Sequence, residues 1–314
     1  MKKLAIAIST ILLSGAAYAG NTADVELFNA DDNNVNIFQM SPAVGNDADV
    51  LIRNSDDNDV DIYQMGRHNE AVVRVRNGSD DNDLMIDQDG RHNRAVLKAR
   101  LGSDDNDFAI EQDGRLNLGK VIADDSDNNN GLIDQRGRKN EAYINFDGAS
   151  DNSNNKIVQR GRRNEGEISV MGGSNNGTLK IRQKGHDNDS KIHVYGGSGN
   201  EALTKINGDD NTTYTAFYAG ASDNDTTILM KNDSLDNTVY AVVVGGSFNE
   251  ADVTIDSSND NFVSVAQWGD SSMAEVTLEN GSNDNWIMVN QTNNDMATVT
   301  ADNSSYNAVV ITQL

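Results

Sequence analysis

The sequence predicts an all-β chain: a two-sheet parallel β-solenoid, amyloid-like in its stacking, of about 12 coils with two strands to each coil. Three observations predict it. The stretch SDDNDVDIYQMGRHNEAVVRVRNG, residues 55–78, recurs over residues 79–102 with 15 of its 24 letters unchanged. Each such stretch divides into two shorter units that begin at an Asn. Within a unit, the residues two, four and six places after the Asn form one class, while those between them are mixed and often charged.

The chain opens on a segment outside this pattern. Lys2 and Lys3 precede an apolar run from Leu4 to Leu13, and the small-residue site Ala17-Tyr18-Ala19 follows. This predicts a bacterial-style signal peptide over residues 1–19, and hence a secreted chain in which residues 20–314 form one solenoid domain. No run of 18 or more apolar residues is present, so membrane insertion is not expected. With no cysteine and a single proline, no disulfide framework or stiff linker holds the chain together. A formal net charge of −24, more negative once Lys2 and Lys3 are removed, repels nucleic acid and anionic lipid surfaces. Low hydrophobicity with such a charge would ordinarily indicate disorder. The repeat overrules that reading, because each coil can bury its apolar face against the next.

The unit recurs 25 times from Asn21 to the last one at Asn307, and Asn leads 21 of them. The fourth residue after the leader is Val, Ile or Leu in 22 units, the exceptions being Thr204, Thr215 and Ala241. Such alternation is the signature of a strand with one buried face; a helix would scatter these residues around its circumference. Stacked at roughly 4.8 Å per coil, around a core about 10 Å thick, the units would make a rod about 60 Å long.

Two columns are expected to hold the stack. The leading residues Asn58, Asn69, Asn82, Asn93, Asn106, Asn117, Asn140 and Asn164 sit at turns, where Asn tolerates left-handed backbone angles and its amide can bond to nearby backbone or to the Asn of the next coil. The sixth place after the leader is Gln at Gln39, Gln64, Gln88, Gln112, Gln135, Gln159, Gln183, Gln267, Gln291 and Gln313. A lone buried Gln is costly, but stacked amides donate to and accept from one another. Through Gln183 the Gln falls in every second unit and so on one sheet; it lapses at Ile206, Met230 and Ile255 and resumes on the other sheet. The sequence alone offers no account of that change.

The segments QMGRHNEA, QDGRHNRA and QRGRKNEA, and more loosely QWGDSSMA, follow the pattern Gln-x-Gly-x-x-Asn-x-Ala. In this the chain resembles the curlin family, the subunits of bacterial curli fibres. The strict motif spans residues 64–142, relaxed copies reach Ser190, and the Asn-led unit covers essentially all of residues 20–314. The resemblance implies an exported, structural subunit that self-associates end to end as functional amyloid in a matrix serving adhesion and biofilm. It also implies partners in curli-type secretion and nucleation. The chain departs from the family in its many more coils, in the Val or Ala that replaces a second Gln, and in the loss of the motif glycine over much of the last third. The alternative is a secreted β-solenoid adhesin or matrix protein that stays monomeric.

The turns carry charge of alternating sign. Stacking would collect Asp56, Asp80 and Asp104 on one edge and Arg67, Arg91, Arg115, Arg138 and Arg162 on the other. The bland reading is a set of solvated turns; the functional one pairs the acidic edge of one fibre with the basic edge of another. Residues 20–205 are mixed in charge, whereas 206–314 contain Lys231 as their only basic residue. GGSGNEA at 196–202 faintly resembles glycine-rich calcium repeats but lacks their Asp and their period, and His68 and His92 would stack without a carboxylate or thiol partner. No metal, cofactor or catalytic site is therefore expected. Solenoid hydrolases build clefts from long loops and singly placed acids, and here connections are short and acids periodic. An ice-binding solenoid would need outward Thr columns, whereas Thr204, Thr213 and Thr215 occupy inward phases.

Overall fold

The computed structural model describes residues 7–9, 20–42, 44–148 and 151–313. The rest of the expected signal peptide, residues 1–6 and 10–19, lies outside the described residues. Every regular element among them is a strand. The strands alternate between two sheets of 13, those of odd order in sheet I and those of even order in sheet II, and all pairings are parallel. The chain therefore crosses from one sheet to the other at each turn and climbs half a coil each time. From Thr22 to Thr312 it makes about 12 turns.

The register is a direct consequence of the repeat. Asn-led units of similar length place like residues over like: Ile62 pairs with Ile86 and Gln64 with Gln88 in sheet I, and Ala71 with Ala95 and Val75 with Ala99 in sheet II. A one-residue slip would turn the apolar set outward, so burial locks this alignment. Ile86, Ile110, Ile133 and Ile157 of sheet I and Val73, Leu97 and Val121 of sheet II are fully buried. Each contributes about 1.5–3 kcal/mol through removal from water.

The core is not uniform along its length. One contiguous apolar cluster runs from Ala30 to Ala221 and Val243, a second from Ile206 to Ala301. They meet where the inward positions are Thr204, Thr213, Thr215 and Thr226, all essentially inaccessible to water. The hydroxyls of Thr204, Thr215 and Thr226 have no hydrogen-bond partner there.

The expectation that the leading Asn takes the left-handed backbone is corrected by the structure. Positive φ falls one residue earlier, at Asp57, His68, Asp81 and His92, just before Asn58, Asn69, Asn82 and Asn93. The Asn side chain must face along the stack to meet its neighbour, so the sharp bend is taken by the residue before it. Even Leu116 and Phe248 adopt this conformation, with φ of 61° and 61°, because the stacked turn fixes it from both sides.

The outer edge of the strand Asn34–Met40 is partly occupied. The short strand Ala7–Ser9, within the expected signal peptide, pairs with it in the register Ala7 to Asn34 and Ser9 to Asn36. Among the described residues, the strands Thr22–Phe28, Met296–Asp302 and Ala308–Thr312 each have a strand on one side only.

Candidate functional site

The Gln-x-Gly-x-x-Asn pattern maps onto one turn, and each of its residues has a physical task there. The Gln at the end of a sheet I strand is buried and donates twice. Gln64 Nε2 reaches the carbonyl of Asp47 across the turn at 3.0 Å and Gln88 Oε1 along the stack at 2.8 Å. The same pair of bonds recurs at Gln88, Gln112, Gln135 and Gln159, so the column runs unbroken from Gln39 to Gln183. Gln183 ends it by donating to Ser190 Oγ, which in turn accepts from Thr213 Oγ1.

The glycine two places on has φ of 108° at Gly66, 115° at Gly90 and 122° at Gly114. A Cβ at Gly66 would lie 1.9 Å from the carbonyl oxygen of Gly90 in the next coil. Only glycine allows the stacked backbones to approach this closely.

The Asn completes the turn. In sheet I, Asn58 sends both its backbone N–H and its Nδ2 to Asn33 Oδ1, at 3.0 and 2.9 Å, and Asn82 and Asn106 repeat this on Asn58 and Asn82. In sheet II the backbone N–H of Asn69, Asn93, Asn117 and Asn140 likewise donates to the Asn before it in the stack. Their Nδ2 groups instead reach back to the carbonyls of Met65, Asp89, Asp113 and Arg136 within the turn. From Asn164 onward the amide-to-amide bond appears in sheet II as well. The Gln column resumes in sheet II, with Gln267 Nε2 donating to Gln291 Oε1 at 3.2 Å and Gln291 Nε2 to Gln313 Oε1 at 3.1 Å.

The two edges carry opposite charge. Arg67, Arg91, Arg115, Arg138 and Arg162 pair in register on one. On the other, Asp56, Asp80 and Asp104 are more than solvated groups: Asp80 Oδ1 accepts the backbone N–H of Asp56 at 2.6 Å, and Asp104 Oδ1 that of Asp80 at 2.8 Å. This acidic ladder was not legible in the sequence, because nothing there distinguishes a carboxylate that caps the preceding turn from one that faces water. Burial, followed by Asp127 and Asp80, raises the Asp104 pKa, against a lowering by its backbone hydrogen bond. On the outer faces, Arg74 pairs with Asp49 at 2.9 Å and Arg100 with Asp124 at 2.6 Å.

His68 and His92 stack with ring centroids 4.6 Å apart, and burial, His68 and the neighbouring arginines hold His92 below the ordinary imidazole range. Among the described residues, no three His, Cys, Asp or Glu side chains converge as a metal site. Sequence reasoning also missed a strip of aromatic rings along the outer face of sheet II. It runs from His193 and Tyr214 through Tyr240 and Phe262 to Trp286, each ring centroid 5.5–6.1 Å from the next. Tyr214 pairs in register with Tyr240 and Phe262 with Trp286, at outward places that vary in residue type from coil to coil, while the steps from His193 to Tyr214 and from Tyr240 to Phe262 join different places within the unit.

Among the described residues, the arrangement gathers no cluster of three His, Cys, Asp or Glu side chains. It presents columns of backbone and side-chain amides that end in open strand edges. A family model described as the curlin associated repeat matches the chain twice, at residues 56–80 and 79–114. No curated protein matches the chain. The matched repeat is structural rather than enzymatic in kind.

Proposed function

We propose that this chain, a curlin-family repeat protein, is the subunit of an extracellular curli-like amyloid fibre that serves cell adhesion and the biofilm matrix. Each copy adds to the end of another. The observation that carries this reading is the state of the outermost strands: among the described residues, Thr22–Phe28 and Ala308–Thr312 each pair on one side only, in sheets that are parallel and in register but for irregularities after Met171 and Ile206. Soluble solenoids cover such edges, since an exposed flat edge is a template for another strand. A further copy would extend both backbone ladders and side-chain columns, which is the logic of cross-β growth. Export and nucleation by curli-type partners fit the same reading.

The test uses residues 20–314, purified in chaotrope and diluted. Growth of dye-binding fibrils visible by electron microscopy, accelerated by preformed seeds, supports the proposal. A persistent monomer would replace it with a soluble solenoid adhesin.

A further inference from the structure

Fibre growth, if it occurs as proposed above, has a geometry that the chain itself dictates. The strands from Thr22–Phe28 to Ala308–Thr312 number 25, an odd count. The last strand of sheet I is Met296–Asp302, and Ala308–Thr312 of sheet II stands half a coil beyond it. The next vacant place is therefore over Met296–Asp302. A second copy begins with Thr22–Phe28, which in its own fold belongs to sheet II.

We infer that successive copies join with a half turn about the long axis, so that sheet II of each copy continues sheet I of the copy before it. Thr22–Phe28 of the second copy then covers Met296–Asp302, and its Asn34–Met40 covers Ala308–Thr312. No place is left empty. Stacking like sheet on like sheet would instead leave a gap one strand wide over Met296–Asp302, with its amides and carbonyls unpaired.

The inward side chains fit this joint. Val309, Ile311 and Gln313 meet Val35, Ile37 and Gln39: the same three residue types in the same order. In the other sheet, Ala297 and Val299 meet Ala23 and Val25. Val309, Ile311, Val25 and Ile37 are only partly buried in the single copy, as a joint requires. The hydrogen-bond polarity agrees as well. Within each column a Gln Nε2 donates to the Oε1 of the Gln after it; among the described residues Gln313 Nε2 donates only to the carbonyl of Met296, and Gln39 Oε1 accepts from no Gln. Across the joint, Gln313 would donate to Gln39. In the like-on-like register Gln313 would meet Leu27 and Gln39 would face the vacant place above Ala301, so neither amide would find a Gln partner.

This also accounts for the change of sheet made by the Gln column. A column kept in sheet I would end under the second copy's Leu27. Its transfer to sheet II, complete at Gln267, compensates within the chain for the half turn between chains. The edge of Asn34–Met40 is shown to accept a strand in this register, since Ala7–Ser9 lies there, with Ala7 opposite Asn34 where Ala308 of another copy would pair. The expected signal peptide thus occupies the joint until it is removed.

The chain lacks cysteine, so engineered pairs report cleanly. Outward residue Asp24 would stack on Thr298 in the half-turn joint and on Val310 in the like-on-like joint. Stacked Cα atoms lie about 4.8 Å apart, within disulfide reach. The variants D24C/T298C and D24C/V310C of residues 20–314 are grown as fibres under reducing conditions, with wild-type seeding as the check on folding, and then oxidised. The expected result is a ladder of covalent multimers on denaturing gels from D24C/T298C, with at least tenfold less from D24C/V310C. Cross-linking of D24C/V310C instead overturns the half turn, and normal fibres that cross-link in neither variant place the joint elsewhere; both leave fibre formation standing. Absence of fibres from the wild-type chain removes the underlying reading itself.

Discussion

Gln64 Nε2 donates to Gln88 Oε1 at 2.8 Å inside a core from which water is excluded. Seven glutamines from Gln39 to Gln183 are joined in this way. Each amide is therefore satisfied only while its neighbour is present.

Removing one link in mid-column should be costly. Gln88→Leu strips a donor from the carbonyl of Glu70, an acceptor from Gln64 and a donor from Gln112. With about 1–3 kcal/mol for each buried group left unpaired, partly offset by the apolar replacement, a loss of about 2–4 kcal/mol is expected. The midpoint of chaotrope unfolding, measured before assembly, reads it. A loss below about 0.5 kcal/mol would mean that the column is not a structural element.

The motif glycine, held at a φ of 122° at Gly114 and pressed against the next coil, should be far less replaceable than a turn glycine with open space around it. At Gly114 a Cβ would lie 2.1 Å from the carbonyl oxygen of Gly137, whereas at Gly78, with φ of 74°, nothing lies within 4 Å. Gly78→Ala is expected to cost about 1 kcal/mol, from the left-handed backbone alone. Gly114→Ala must also push two coils apart, and should lower the unfolding midpoint by several times as much. Equal effects would refute the steric argument.

Stability should rise on mild acidification. Burial, and then neighbouring carboxylates, raise the pKa of Asp83, Asp225, Asp252 and Glu165 in the folded chain. A carboxyl with a raised folded pKa weakens the fold while it is ionised, and that penalty is relieved as pH falls through the folded pKa. Asp187 runs the other way: its hydrogen bond with Arg163 lowers its pKa, and its contribution is lost as pH falls through that lowered value. The raised groups are the more numerous, so the thermal midpoint should increase between pH 7 and about pH 4. A midpoint that falls steadily over that window would contradict the assignment.

Fibre bundling should depend on salt. The column from Arg67 to Arg162 on one edge and that from Asp56 to Asp104 on the other suit lateral pairing of neighbouring fibres. Raising ionic strength from about 0.01 M to 1 M shortens the screening length from about 30 Å to about 3 Å. Bundles in electron micrographs are then expected to thin toward single fibres. Unchanged width would remove any role for these edges in bundling.

Much of this architecture was legible because a solenoid repeats its physics. Alternation around Val60, Ile62 and Gln64 fixes which face is buried, and recurrence of the same triplet at Leu84, Ile86 and Gln88 fixes the register between coils. Features that depend on what lies above a residue were harder to read. Asn58 and Asp57 are both turn formers that tolerate the left-handed backbone, and only the stacked amides decide that Asp57 adopts it. Neither solvation nor lateral pairing, the two readings the sequence offers for Asp80, includes the bond it accepts from the backbone N–H of Asp56. The ring strip from His193 to Trp286 is hard to read because it lies at outward places of mixed residue type and shifts place twice, although Tyr214 with Tyr240 and Phe262 with Trp286 are like places in register.

The stretch of coil from Thr204 through Thr215 to Thr226, over three successive strands, holds three buried hydroxyls without partners among the described residues, and it divides the apolar interior in two. When a filament is pulled lengthwise, unravelling should begin there. The polypeptide passes through that coil unbroken, so the filament lengthens instead of parting. A turn of roughly 24 residues holds up to about 80 Å of contour behind a rise of about 4.8 Å. In a fibre of the proposed kind, each subunit would thereby carry its own reserve of slack against shear.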